Sequence, residues 1–175
     1  MILMIDNYDS FTYNIVSYLR ILKEEVIVKK NDEINLEEIK QLNPEIIVIS
    51  PGPKTPKESK ISLEIFEKLK GEYPILGICL GHQALAYSMG LDIIKGPRPM
   101  HGKMTEIKHD DKGIFTDIPN PVKVMRYHSL IVDDRKFENG MYEDMVITSK
   151  TSDGIIMGFR DSKNKIETVQ FHPES

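Results

Sequence analysis

The sequence predicts an α/β protein: a doubly wound, mostly parallel sheet flanked by helices, with an added antiparallel ribbon. Apolar runs too continuous to be half-exposed occur at 1–5 (MILMI), 45–50 (EIIVIS) and 74–78 (PILGI), as expected of strands buried on both faces. Helix-period segments alternate with these runs, which fits parallel pairing through right-handed crossovers. After Gly90 the pattern changes to short strands separated by turn signals such as DDKG, NP and SDG.

MILMI is the first strand. In DSFTYNIVSYLRILK, Phe11, Ile15, Leu19 and Leu22 fall on one helical stripe, and Asp9 or Ser10 can cap the first free N–H groups. VIVK is the second strand. Asn35 and Glu38 have the spacing of a capping box before Leu36, Ile39 and Leu42, and Pro44 stops that helix at Asn43. EIIVIS is the third strand, followed by the loop PGPKTPKES. Ile61, Ile65 and Leu69 then align on a third helix, which Gly71 can end in a left-handed conformation. PILGI, the fourth strand, leads into a helix from Gly81 to Met89. TEIKHDD, VKVMRYH, MVITSK, IIMGFR and IETVQF make up the ribbon. No repeat or linker divides the chain, so residues 1–175 are expected to form a single domain.

Of the 175 residues, 40% are hydrophobic and 29% charged. No apolar run approaches the roughly 18 residues that cross a bilayer, so no membrane association is expected. The N-terminal apolar run lacks a basic flank and meets Asp6-Asn7 directly, which argues against a signal peptide and for the cytoplasm. A net charge of −4 with dispersed Lys and Arg speaks against a nucleic-acid partner. One cysteine excludes an intramolecular disulfide, and no histidine shows zinc-ligand spacing with a second cysteine, so no metal site is expected.

That cysteine, Cys79, stands in PILGICLGHQAL where the fourth strand meets a helix. Gly77-x-Cys79-x-Gly81 has the form of a nucleophile elbow at the carboxyl edge of a parallel sheet. The helix N-terminus would favour the thiolate, and the Leu80 N–H could face an oxyanion. The alternative is a cysteine that only packs in a tight turn. A thiolate nucleophile needs an oriented histidine. In the terminal VQFHPES, His172 follows a predicted strand, and Pro173 constrains the turn so that Glu174 can hold the imidazole tautomer; a surface histidine in a frayed terminus is the alternative. Among the other histidines, His82 is expected to face outward, His101 and His109 to lie in polar ribbon, and His128 to sit beside the nucleophile. In SPGPKTP, glycine between prolines leaves the Gly52 N–H unobstructed; the loop either completes an oxyanion hole or is a rigid turn without a ligand.

IDNYDSFTYN, SPGPKTP, GICLGHQ, MHGK, RYHSL and FHPES, in that order, resemble the class I (triad-type) glutamine amidotransferases. Within that flavodoxin-like group, DNYDSFTYN with RYHSL resembles the branch of small subunits of anthranilate synthase and aminodeoxychorismate synthase. The resemblance implies Cys79 as nucleophile, His172 as general base and acid, and Glu174 as its orienting carboxylate. It implies Gly52 and Leu80 as oxyanion donors, and Gly52, Pro53, Lys54, Gln83, Ser129 and Leu130 as the L-glutamine site. It further implies a large chorismate-aminating partner subunit, facing the surface around DNYDSF and MHGK. Magnesium is expected only in that partner, and no cofactor in this chain. Relatives usually continue past the His-Pro-Glu into another helix, so the orienting carboxylate is expected on an untethered, mobile end, with weak intrinsic activity. Two other functions stay open at this point: a stand-alone cysteine hydrolase of γ-glutamyl amides and a catalytically silent regulatory module.

Overall fold

The computed structural model describes residues 1–137, 142 and 144–175. Strands β1 (Ile2–Asp6), β2 (Val26–Lys30), β3 (Ile46–Ile49) and β4 (Ile75–Ile78) pair in parallel. Helices α1 (Thr12–Ile21), α2 (Leu36–Leu42) and α3 (Lys60–Lys68) connect them, and α4 (Leu80–Ser88) follows β4. Strands β5 (Ile93–Lys95), β6 (Lys103–His109), β7 (Val122–Arg126), β8 (Leu130–Val132), β9 (Met145–Thr151), β10 (Ile156–Asp161) and β11 (Ile166–Val169) complete the chain. Nine strands form one sheet in the order β2-β1-β3-β4-β11-β10-β9-β6-β7, while β5 and β8 make a separate pair.

Side-chain alternation explains the unbroken apolar strands. Leu3, Ile5, Ile47 and Ile49 point to a core shared with Ile39, Ile65, Phe66 and Leu85 of α2, α3 and α4. Ile2, Met4 and Val48 point the other way, to a core shared with Ile15 and Val16 of α1. With both faces covered, each large apolar side chain contributes about 1.5–3 kcal/mol by burial, and a polar residue within the run would forfeit that. The Asn35 carboxamide caps α2 by accepting the Glu38 N–H at 2.9 Å, and left-handed Asn43 (φ 45°) ends it. Gly71 is left-handed as expected, with φ 88°.

The structure departs from the expected pattern in three places. Leu22 is 70% exposed rather than on the buried stripe, because α1 ends at Ile21 and left-handed Lys23 (φ 65°) turns the chain away. Beyond β11 the antiparallel strands extend the main sheet, as an added ribbon would, but the separate β5/β8 pair was not expected. Most consequentially, IETVQF is not simply a ribbon strand: β11 is inserted between β4 and β10, parallel to β4 with Val169 opposite Ile78 and antiparallel to β10. Ile166, Thr168 and Val169 are buried, which requires neighbours on both edges and both faces. Among the described residues, no helix is long and apolar enough to cross a membrane.

Candidate active site

The parallel placement of β11 beside β4 brings two chain segments to one carboxyl edge: Cys79 immediately after β4, and Gln170 to Glu174 after β11. The Cys79 N–H donates to the Val169 carbonyl at 2.8 Å, locking the two strand ends together. Cys79 itself has φ 54° and ψ −97°, a conformation costing about 1–3 kcal/mol in a non-glycine residue. The flanking glycines serve a different purpose. A Cβ on Gly77 would lie 2.8 Å from the Gly81 backbone, and one on Gly81 would lie 2.7 Å from the Ile49 carbonyl. Their role is close approach of helix and strands, while the strained turn falls on the cysteine.

Cys79 is 5% exposed. Burial pushes its thiol up to about 12, the Asp9 and Glu174 carboxylates add to this, and the Leu80 N–H and Gln170 amide oppose it. The helix N-terminus does favour the thiolate, through the Leu80 N–H, but desolvation outweighs it and the resting group is the thiol.

His172 Nδ1 lies 2.6 Å from Glu174 Oε1, with both side chains buried. A carboxylate only accepts, so Nδ1 carries the proton and Nε2 presents its lone pair. Edge-on contacts from Phe11 and Tyr127, with ring centroids 5.5 and 5.0 Å from the imidazole, fix the ring plane. The His172 N–H also donates to the Met125 carbonyl at 2.9 Å, and the Ser175 N–H to the His172 carbonyl at 3.3 Å. Glu174 is 7% exposed. The expectation of an untethered carboxylate is thus corrected, because β7 and the aromatic pair hold the terminal turn. No direct Cys79–His172 hydrogen bond is present; His172 packs edge-on against Tyr127, which lines the same cavity as Cys79.

That cavity, about 130 Å³, is lined by Gly52, Pro53, Lys54, Cys79, Gln83, Tyr127, His128, Ser129 and Leu130. It brings together all the residues expected to bind substrate. Gln83 is already committed on one side, since its Nε2 donates to the Leu130 carbonyl at 3.1 Å and to Gln170 Oε1 at 3.2 Å. Only its Oε1 remains for a ligand. Gly52 is wedged between the elbow and Asn7: a Cβ there would lie 2.7 Å from both Leu80 Cδ2 and Asn7 Cβ. The two expected oxyanion residues, Gly52 and Leu80, are therefore neighbours.

One residue that supports the site, Asn7, was not singled out in the sequence reading. Asn7 is 2% exposed; its Nδ2 donates to the Ser50 carbonyl at 3.0 Å, and its Oδ1 accepts from Ser59 Oγ at 2.6 Å and Asn31 Nδ2 at 3.0 Å. Asn7 thereby braces the loop that carries Gly52. Asp6, Asn7 and Met100 are buried and Asp9 and Phe11 half-buried, so within DNYDSF and MHGK the exposed residues are Tyr8, Ser10, His101, Gly102 and Lys103. His82 does not face outward: it is fully buried, stacked 5.2 Å from Phe159, with Nδ1 2.8 Å from Thr168 Oγ1. His109 is likewise buried, with Nε2 2.9 Å from the Pro119 carbonyl. Among the described residues, no group of three or more His, Cys, Asp or Glu is placed to hold a metal ion.

The pattern of the family "Glutamine amidotransferase class-I" matches residues 3–175. The chain is 50% identical over its whole length to the aminodeoxychorismate/anthranilate synthase component 2 of Bacillus subtilis, covering 88% of that protein. It is 48% identical, again over its whole length, to the aminodeoxychorismate synthase component 2 of Klebsiella aerogenes, covering 91% of it. The crystal structure of a candidate GMP synthase component from Thermoplasma acidophilum superposes with a TM-score of 0.84 at 25% identity, covering 99% of this chain and 84% of that one. With the elbow, the paired His172 and Glu174 and a sequence match across nearly the whole chain, this protein belongs to the class-I glutamine amidotransferase family.

Proposed function

We propose that this chain is a glutaminase subunit that hydrolyses L-glutamine and passes the ammonia to a chorismate-aminating synthase subunit. The observation that carries the chemistry is Cys79 in a strained elbow, opening into the small cavity that also contains Gly52, Gln83, Ser129 and Leu130. Full-length identity of about half to proteins named component 2 of anthranilate or aminodeoxychorismate synthase supports the substrate and the partner.

In the reaction, His172 Nε2 takes the proton from the Cys79 thiol as sulfur attacks the glutamine side-chain carbonyl carbon. The Gly52 and Leu80 N–H groups receive the resulting oxyanion. Collapse breaks the C–N bond, and His172 returns its proton to the departing ammonia. Water then gives a proton to His172 while its oxygen attacks the thioester; the C–S bond breaks, sulfur regains the proton, and glutamate leaves. Glu174 keeps the proton on Nδ1 throughout, so that Nε2 alone exchanges protons.

A resting thiol gives the free subunit weak activity, and docking of the synthase is what raises it. The exposed residues of the first loop and of MHGK, among them Tyr8, His101 and Lys103, face that synthase. Magnesium-dependent chorismate chemistry belongs to the partner, and a cytoplasmic setting keeps Cys79 reduced.

A glutamine-like diazoketone should label Cys79, and Cys79→Ser should lose both labelling and glutamate release. Adding each type of large subunit with chorismate should then stimulate release, and the aminated product identifies the pathway. Labelling without stimulation by either subunit would favour a stand-alone γ-glutamyl hydrolase. Absence of both would favour a silent module.

A further inference from the structure

We propose that Gln170 is a further catalytic residue: its side-chain N–H donates to the Cys79 sulfur and holds the negative charge that develops there before attack. The role rests on the glutaminase reading above. Gln170 is fully buried, and its Nε2 lies 3.5 Å from Cys79 Sγ. Among the described residues it is the only side chain that hydrogen-bonds to that sulfur.

The orientation of the Gln170 carboxamide follows from its surroundings, beginning at a backbone carbonyl. In the β5/β8 pair the ladder bonds run from Gly96 N–H to the Ser129 carbonyl and from Asp133 N–H to the Asp92 carbonyl. By the alternation of an antiparallel pair, the Leu130 carbonyl points to the opposite edge. There it can only accept, and two side chains meet it: His128 Nδ1 at 2.8 Å and Gln83 Nε2 at 3.1 Å. His128 therefore carries its proton on Nδ1 and leaves Nε2 to accept from Arg126 Nε–H at 3.0 Å. Burial, which pushes His128 down to about 4, agrees with this neutral form. Gln83 must likewise turn its NH₂ toward Leu130, and that same nitrogen lies 3.2 Å from Gln170. Gln170 can only present its oxygen to it, so the Gln170 NH₂ faces the sulfur.

The sulfur needs such a donor. The groups around it are the carboxylates of Asp9, before α1, and of Glu174 in the terminal turn, which both oppose a negative charge, and the Leu80 N–H at the start of α4. Lys54 and His128 line the same cavity. Once substrate enters, the Leu80 N–H is required by the oxyanion, and Gln170 remains as the side-chain donor on sulfur. Gln170 and His172 lie two residues apart in the segment that follows β11. One short segment after β11 thus supplies both the base that takes the thiol proton and the donor that steadies what it leaves.

The test is the pH dependence of Cys79 alkylation by iodoacetamide in wild type, Gln170→Met and Gln170→Leu. A hydrogen bond to a charged group corresponds to a shift of roughly one pH unit at this long sulfur distance, or about tenfold in rate at neutral pH. The expected result is an alkylation rate about tenfold lower in both variants at each pH between about 7 and 9, with the same rise per pH unit. An unmoved profile in either folded variant overturns the proposal. If both variants fail to fold, wild-type protein decides by heteronuclear NMR. A Gln170 side-chain amide proton must lie downfield of its position in Cys79→Ala; an unchanged resonance overturns the proposal. Failure of the glutaminase reading is seen separately, as wild type that releases no glutamate with any synthase subunit whatever the alkylation profiles show.

Discussion

Replacing Asn7 with alanine removes the brace beneath the Ser50-to-Lys54 loop without touching the cavity. Four hydrogen bonds are lost: to the Ser50 carbonyl (3.0 Å), from Ser59 Oγ (2.6 Å), from Asn31 Nδ2 (3.0 Å) and, at 3.4 Å, from Ser62 Oγ. Asn31 is half-buried and can turn to water, and Ser59 keeps its bond to Ser62 at 2.5 Å. The buried Ser50 carbonyl has no such recourse. At about 1–3 kcal/mol for each buried group left unsatisfied, the sum is about 2–4 kcal/mol, or a fall in Tm of about 5–12 °C for a chain of this size. Thermal denaturation followed by circular dichroism measures the first effect. Glutaminase kinetics with the synthase subunit, at a temperature where the variant is folded, measures the second. Because the loop carries Gly52, kcat/KM should drop by at least about tenfold, the scale of a weakened oxyanion donor. A Tm within about 2 °C of wild type, or a lower Tm with unchanged kcat/KM, would refute the bracing role.

Gly81→Ala places a Cβ 2.7 Å from the Ile49 carbonyl; overpacking should cost about 1–3 kcal/mol in urea denaturation and slow diazoketone labelling of Cys79, whereas intact labelling would mean the elbow tolerates the shift. His82 and His128 are held by burial at about 3 and about 4, below the roughly 6.5 of an unfolded histidine. The unfolded chain therefore binds more protons as pH falls below about 6.5, and each histidine removes about 2 kcal/mol of stability by about pH 5. In urea denaturation at the two pH values, His82→Leu should lose about 2 kcal/mol less than wild type between about pH 7 and pH 5; an equal loss would contradict the buried neutral imidazole. Arg160 joins Glu167 at 2.5 Å and Asp110 at 2.6 Å, tying β10 to β11 and to the turn after β6. Arg160→Met should destabilise by about 2–4 kcal/mol, somewhat less than for a fully buried pair, and a change below about 0.5 kcal/mol in chemical denaturation would show that solvent already screens the triad.

The parallel half of the sheet was legible because its residues report their own burial. Runs such as MILMI admit no half-exposed strand, and the glycine spacing around Cys79 marks a turn that little else explains. The position of β11 was not legible: IETVQF reads as one more short strand, and its parallel neighbour β4 lies about ninety residues earlier in the chain. Local pattern carries no record of such pairing. The same limit applies to the site. Cys79, His172 and Glu174 stand in motifs whose residue types imply a chemistry, whereas Asn7 and Gln170 are ordinary amides that matter only through what folding brings to them. His82 was misjudged because a polar side chain early in a helix reads as exposed, yet α4 is enclosed along most of its first two turns. The state of the Cys79 thiol was also beyond a motif, since it depends on the balance between desolvation, two carboxylates and two N–H donors.

The most direct test is to mix the chain with its synthase subunit, chorismate and glutamine, quench in acid during turnover, and examine the peptide that contains Cys79 by mass spectrometry. A glutamyl thioester on Cys79 that accumulates and then decays as glutamate appears is the result predicted here. Sustained glutamate release with that peptide never modified, and with Cys79→Ser turning over at the wild-type rate, would contradict it.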